Sequence, residues 1–366
     1  MADELRALYT RDYIKHVATC LSDLAGTDVD AFVSHTLAAP WKDLALKARM
    51  ARLTEGLVRF LPGPYEHDIQ ILQKLLPRIC VDRFKYADLL SMFVPDFVVC
   101  NGMNNFDTSM EALKFFTSNG TSSEFAIRPF ILRNPVAAMD YMVSWAFDDH
   151  SDVRRFSSEG CRPRLPWAMA LPDFKKDPTA VLPILHTLRA DPSKFVQKSV
   201  ANNLNDIAKD NPDTVLDFSE KWFGSDKNTD WIIKHGCRTL LKQGNTRALA
   251  LFGSSPVEVS NPKLALTKDQ VDFGHSVEFT FEGFIEGDLP QSLRVEYAID
   301  FMKANGKTSR KVFKISETKP TAQKLSFKKS HKFVNYTTRK HYAGQHQVSI
   351  ILNGIEILQH PFTLKL

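Results

Sequence analysis

The hydrophobic period of this chain changes once, and that change constrains the fold more than any other feature. Up to about residue 250 the apolar residues recur at the spacing of a helix face. Ile14, Val17, Leu21 and Leu24 stand at i, i+3, i+7 and i+10, and Gly26 follows where a C-cap glycine belongs. From about residue 265 the period is two. Val277, Phe279 and Phe281 alternate with Glu278, Thr280 and Glu282; Leu293, Val295, Tyr297, Ile299 and Phe301 alternate with Arg294, Glu296, Ala298 and Asp300. Such alternation marks half-buried strands. Asn305-Gly306 and Asn353-Gly354 sit between strand-like runs and read as hairpin turns. The helical part is expected to end near Leu251-Phe252-Gly253, with residues 254–258 as a Ser/Pro linker. This predicts a helical domain over 1–253 and a β domain over 259–366, in line with a prior of roughly 100–200 residues per domain.

The helical part repeats. Asp107, Asn134, Asp177 and Asn211 each open a helix–turn–helix segment, at spacings of 27, 43 and 34 residues. Asn134-Pro135, Asp177-Pro178 and Asn211-Pro212 place proline at the first helical position after a capping residue. The second helices share a look: Asp152-Val153-Arg154-Arg155 with Gly160-Cys161-Arg162 parallels Ile232-Ile233-Lys234 with Gly236-Cys237-Arg238. A helix pair every few tens of residues cannot bury its own apolar face, so the pairs must stack, as in a HEAT-like solenoid with a concave surface. The β part carries roughly seven short strand-like runs, which fits an immunoglobulin-like sandwich without the antibody disulfide.

Several function classes lose their usual support. There is no GxxxxGK[ST], no GxGxxG after a strand, no HExxH and no GxSxG. No apolar run approaches the roughly 18 residues of a membrane span, and the acidic start Met-Ala-Asp-Glu-Leu does not read as a secretory signal. The five cysteines, Cys20, Cys80, Cys100, Cys161 and Cys237, are scattered and never CxxC, which suggests reduced, buried thiols in a cytoplasmic protein. No metal and no cofactor are expected.

Charge is placed unevenly. The first 255 residues hold 31 basic and 31 acidic side chains, whereas residues 303–340 hold 12 basic side chains against the single acid Glu317. That stretch points to phosphates or another anionic surface. His331, His341 and His346 fall in or beside it and read as phosphate contacts or surface residues. On charge alone, a solvated sheet face remains open.

Three acidic positions in the second helices stand out: Glu124, Glu159 and Asp206. Helical spacing puts Arg155, Glu159 and Arg162 on one face, and Asn202 with Asp206 on another. Equivalent helices of a solenoid turn that face into one concavity. The plain alternatives are a first-turn carboxylate for Glu124, an ion pair for Glu159, an inter-repeat hydrogen bond for Asp206 and packing for Trp167. Pattern alone leaves a scaffold that binds DNA or another acidic partner without catalysis.

The motifs Thr121-Ser122-Ser123-Glu124-Phe125-Ala126-Ile127-Arg128-Pro129-Phe130, Ser157-Ser158-Glu159-Gly160-x-Arg162-Pro163-Arg164-Leu165-Pro166-Trp167 and Gln197-Lys198-Ser199-Val200-Ala201-Asn202-Asn203-Leu204-Asn205-Asp206 closely resemble the AlkC family of bacterial DNA glycosylases, HEAT-like enzymes related to AlkD. The likeness spans the helical half, and the β half resembles the immunoglobulin-like domain that several of these proteins carry. The resemblance implies a DNA glycosylase, and because a cationic base leaves without a catalytic lysine, a monofunctional one is expected. It would excise cationic N3-methylated bases, notably 3-methylcytosine and 3-methyladenine, from double-stranded DNA without full base flipping, and leave an abasic site. It implies Glu124, Glu159 and Asp206 as the catalytic carboxylates, with Trp167, Arg155, Arg162 and Asn202 lining the lesion site. DNA contacts are expected from Arg164, Lys198, Arg310, Lys311, Lys324, Lys328, Arg339 and Lys340. The protein is expected to be a cytoplasmic, nucleoid-associated monomer.

Overall fold

The computed structural model describes residues 5–61, 63–81, 84, 86–254, 256–335 and 340–366. Arg339 lies outside the described residues. The helices in chain order are α1 Arg11–Ala25, α2 Val29–Thr36, α3 Leu46–Phe60, α4 Tyr65–Ile79, α5 Ala87–Leu90, α6 Phe93–Asn101, α7 Phe106–Ser118, α8 Ile127–Arg133, α9 Pro135–Trp145, α10 Ser151–Gly160, α11 Pro172–Lys176, α12 Leu182–Thr187, α13 Lys194–Ile207, α14 Pro212–Trp222, α15 Lys227–Gly236, α16 Arg238–Lys242 and α17 Thr246–Leu251. The strands are β1 Val259–Leu266, β2 Gln270–Asp272, β3 Ser276–Ile285, β4 Leu293–Met302, β5 Thr308–Thr318, β6 Lys324–Lys332, β7 Gly344–Leu352 and β8 Ile355–Lys365. The all-α to all-β order is the one the change of period predicts. Contacts group the chain into two compact units. The first joins Met1–Val215 to Gly224–Gly236, and the second joins Leu216–Phe223 to Cys237–Leu366.

In the first unit, local chemistry sets the helix ends. The Thr10 side chain accepts from Tyr13 N at the start of α1, and Gly26, at φ 68°, closes it with its N–H on Ser22 O. Between them Tyr13, Ile14, Val17 and Leu21 are buried. Pro135 and Pro212 open α9 and α14. Asp177-Pro178 instead leads into a 3-10 turn at Thr179–Val181, because Asp177 Oδ1 accepts from Thr179 N at 3.0 Å and from its hydroxyl at 2.6 Å. The repeated glycines mark close helix approach. A Cβ on Gly160 would lie 2.8 Å from Ile127 Cγ2, and one on Gly236 would lie 3.0 Å from Leu204 Cβ. Gly160 thus lets α10 meet α8 and Gly236 lets α15 meet α13, and helices α10, α13 and α15 pack as successive layers. Of the thiols, Cys20, Cys161 and Cys237 are buried, but Cys100 is exposed and Cys80 half-buried.

In the second unit, β1-β3-β6 form an antiparallel sheet, and β2-β8-β7-β4-β5 form a second sheet in which β2 runs parallel to β8. Leu352 pairs with Ile355 across Asn353-Gly354, whose φ values of 45° and 80° give the two-residue turn that asparagine–glycine favours. Val277, Phe279, Phe281, Ile299, Val348 and Ile350 meet in the core. The histidines correct one expectation. His346 is 1% exposed and His341 is also buried, among Phe301, Phe333 and Phe362. The two-residue period of β7 puts His346 on the inward face with Val348 and Ile350. Its Nε2 pairs with Tyr342 O at 3.1 Å, and burial holds its pKa below the usual histidine value. Neither ring is a surface phosphate contact.

The helical tail packs inside this unit. Gly244 and Gly354 approach so closely that a Cβ on Gly354 would lie 2.7 Å from Gly244 O and would also strike Leu249. Arg247 bridges Asp217 and Glu220, Phe223 meets Phe252 edge-on at 5.1 Å, and Ser292 N donates to Gly253 O at 3.0 Å.

Candidate active site

Three segments of the first unit bring charge together. The first is the turn ahead of α8. Thr121 donates its hydroxyl to Asp88 O at 3.1 Å and Ser123 donates to Leu113 O at 3.1 Å. These bonds pin the backbone, so Glu124 lies in the turn and not in a helix as its repeat position suggests. It is 3% exposed. Its Oε1 accepts from Arg155 Nη1, and its Oε2 has no hydrogen-bond partner. Burial raises its pKa, Arg155 opposes that shift, and nearby Glu159 adds to it.

The second segment is α10 and the residues after it. Arg155 Nη2 stands 3.8 Å from Glu159 Oε1. Arg162 lies beyond the helix end, yet it returns to donate Nη1 to Glu159 Oε1 at 2.7 Å. The third is α13, where Ser199 donates to Glu159 Oε2 at 2.7 Å and Asp206 receives Arg162 Nε at 2.9 Å and Nη2 at 2.8 Å on Oδ2. Lys209 donates to Asp206 Oδ1 at 2.8 Å. Burial works against the charge on Arg162, but Glu159 and Asp206 outweigh it and hold its pKa above the ordinary arginine value. Glu159 and Asp206 thus have both oxygens engaged, while Glu124 has one buried oxygen without a hydrogen bond.

Beneath this network Arg128 is fully buried. It donates Nε to Met169 O at 2.6 Å, and Nη1 to Gly160 O and Arg162 O at 2.9 Å each. Burial lowers its pKa to about 10. It ties the end of α10 to the loop that carries Trp167. Asn203 adds a bond from Nδ2 to Ser158 O at 2.8 Å. At the Glu124–Arg155 end of the network a cleft of about 390 Å³ opens, which Glu159, Arg162 and Asp206 do not line. Its walls include Asp88, Glu124, Phe125, Asp152, Arg155 and Phe195. The Arg155 guanidinium lies 4.2 Å from the Phe195 ring centroid, and Lys47 Nζ lies 5.0 Å from that of Phe125. Acid and aromatic faces together suit a cation. Among the described residues, no group of three or more His, Cys, Asp or Glu side chains could hold a metal ion.

The sequence pattern of DNA alkylation repair enzymes matches residues 121–240, the segment that holds Glu124, Arg155, Glu159, Arg162 and Asp206. Residues 260–366 match the C-terminal Ig-like domain of YhaZ. YhaZ of Bacillus subtilis strain 168 is 40% identical over 360 residues, covering 97% of each chain. The Pseudomonas fluorescens alkylpurine DNA glycosylase AlkC, solved bound to DNA containing an abasic site analog, is 36% identical over 99% of each chain, with a TM-score of 0.80. The chain belongs to the AlkC family. Membership puts it among the DNA alkylation repair enzymes and makes DNA glycosylase its enzyme class. The match also fits a HEAT-like solenoid for the helical half.

In this AlkC-family chain the remaining expected site residues are dispersed. Trp167 is 58% exposed at a positive φ of 66°, so its ring is not packed between repeats; Lys47 donates to its carbonyl oxygen. Asn202 is half-buried on α13. Arg164 is held by Asp210 through bonds of 2.6–3.0 Å, and Lys198 is exposed. In the second unit Lys311, Lys324 and Lys340 are exposed. Lys328 pairs with Glu278 at 2.8 Å, and Arg310 pairs with Asp300 at 3.4 Å and with Glu356. Sequence reasoning singled out neither Arg128 nor Ser199, Asn203, Phe195 and Lys47. The first three stand inside the quoted motifs, so their signal was available. Phe195 and Lys47 reach the site through tertiary packing and carry no motif.

Proposed function

We propose that the protein hydrolyses the N-glycosidic bond of cationic N3-methylated bases, 3-methylcytosine and 3-methyladenine, in double-stranded DNA. It does so without drawing the base fully into a pocket, and it leaves an abasic site. The observation that carries this reading is Glu124, a buried carboxylate with one oxygen lacking a hydrogen bond, on the wall of a cleft lined by acids and aromatic faces. A cationic base is already a good leaving group. When C1′–N breaks, the bonding pair neutralises the base, so no general acid is required. The sugar becomes oxocarbenium-like, and a water adds to C1′ while its proton passes to a carboxylate. Glu124, on the cleft wall with one oxygen unpaired, is the acceptor for that proton. Glu159 and Asp206, held by Arg162, supply the fixed negative field that stabilises the sugar cation. No lysine nucleophile takes part, so the enzyme is monofunctional.

DNA enters the proposal from the AlkC relative, whose structure was solved on DNA containing an abasic site analog. The exposed Lys198, Lys311, Lys324 and Lys340 can meet phosphates, whereas Arg164, Arg310 and Lys328 must exchange an acidic partner for one. We read the protein as a monomer that works in the cytoplasm on the nucleoid. No described helix is long and apolar enough to cross a membrane. The test is release of free base from oligonucleotides that each carry one lesion, with 8-oxoguanine as the neutral control. The reading requires release of both methylated bases and poor release of 8-oxoguanine. Robust 8-oxoguanine excision, or none of either methylated base, would overturn it.

A further inference from the structure

The Arg155 guanidinium sits where a buried carboxylate and an exposed aromatic face meet at a cleft. Glu124 accepts from it on one side and the Phe195 ring, 49% exposed, lies under it at 4.2 Å. A planar cation between a carboxylate and an aromatic face has the charge and flatness of an N-methylated base. A second carboxylate lies within reach: Glu159 Oε1, one turn further along α10 and already bonded to Arg162 Nη1, stands 3.8 Å from Arg155 Nη2 and has a lone pair to share. A turn of the side chain about its outer bonds moves the charge from Glu124 to Glu159 with no movement of the helix. We propose that Arg155 is a resident stand-in for the cationic base: it fills the Glu124–Phe195 subsite in the free enzyme, and the lesion displaces it toward Glu159.

This deepens the glycosylase reading and rests on it for the identity of the lesion, but its own content is a binding exchange. A cation that enters the subsite restores the pairing of Glu124, so the exchange costs little. A neutral base leaves that buried carboxylate without a countercharge, which is unfavourable. Selection for charge would then begin at binding, before any bond breaks. Phe195 becomes a specificity-determining residue, since its face is the part of the subsite that both cations share. A stand-in also keeps small ambient cations from settling on Glu124.

The exchange can be read without catalysis. 1-Methylpyridinium, a small planar cation, is titrated into the full-length protein with toluene as the neutral isostere, and binding is followed by NMR. In the unmodified protein the Arg155 side-chain Nε–H resonance should move on addition of the cation and stay put with toluene. Arg155→Met keeps the apolar stem but removes the occupant. If the guanidinium fills the subsite about nine-tenths of the time, the variant should bind the cation about tenfold more tightly. Glu124→Gln should lose that binding, and Phe195→Leu should weaken it. Equal affinity in the unmodified protein and Arg155→Met, or an unmoved Arg155 resonance at saturating cation, would overturn the inference. Should Arg155→Met fail to fold, the resonance experiment on the unmodified protein decides alone. Base release from the methylated oligonucleotides with no cation exchange would sink this inference and leave the glycosylase reading standing. Exchange without base release would do the reverse.

Discussion

Arg162 holds two carboxylates that would otherwise repel each other, and it lies almost entirely out of solvent with them. Removing one partner of a buried charge network leaves the others uncompensated and typically costs about 3–5 kcal/mol. Arg162→Ala should therefore lower unfolding stability by about that amount in denaturant titration, and adding Asp206→Asn should recover part of the loss. A fully additive double mutant would deny the network. Glu159→Gln and Asp206→Asn keep shape and remove charge. Each should slow single-turnover base release by roughly 10²-fold, the scale of one missing transition-state interaction. Wild-type rates would remove them from the mechanism. Glu124 behaves differently in stability. Its folded pKa is raised, so the fold favours the protonated form; that stabilisation is complete below the unfolded carboxylate pKa and is lost as pH rises through the folded value. Glu124→Gln stays neutral throughout. It should melt above wild type at pH 7.5, with the gain fading as pH falls through the carboxylate range. A lower melting temperature at pH 7.5 would mean that the Arg155 pairing outweighs burial.

At the scale of elements, periodicity located most of what it could. The apolar stripe of α1 and its Gly26 cap were legible because both are set within one helix. The Asn353-Gly354 turn was legible because two positive φ values admit few residue types. The same rule would have placed His346 inside, since it alternates in phase with Val348 and Ile350; its polarity masked its position. Glu124 was legible as a motif residue but not as a turn residue, because the bonds from Thr121 and Ser123 that pin it end on Asp88 and Leu113, outside the motif. Phe195 and Lys47 had no local signal at all. The two turn glycines make a test of packing against backbone cost. Gly306, at φ 74°, has nothing within 4 Å of an added Cβ, so Gly306→Ala should cost only the left-handed penalty of about 1–2 kcal/mol. A Cβ on Gly354 would also meet Gly244 and Leu249, and Gly354→Ala should cost clearly more. Equal melting temperatures for the two variants would mean that the α16–α17 turn yields without strain.

For the whole molecule, charge and chemistry occupy different units. The carboxylate cluster lies in the first, and the lysine-rich strands lie in the second. Neutralising Lys311, Lys324 and Lys340 to glutamine should flatten the dependence of log K on log salt for duplex DNA, by about 0.9 for each phosphate that no longer meets a lysine. Base release at saturating enzyme should be spared. Unchanged slopes would make that face a solvated surface. The two units also share the chain unevenly: residues 216–223 and 237–251 pack with the sheets although they are helical, while 224–236 between them pack with the repeats. The β domain is therefore not a cassette. A gene fragment begun at residue 260, where the Ig-like match starts, would encode strands stripped of the helical turn that Gly354 was left bare to receive. Any transplant of this domain onto another solenoid has to carry its helical collar along.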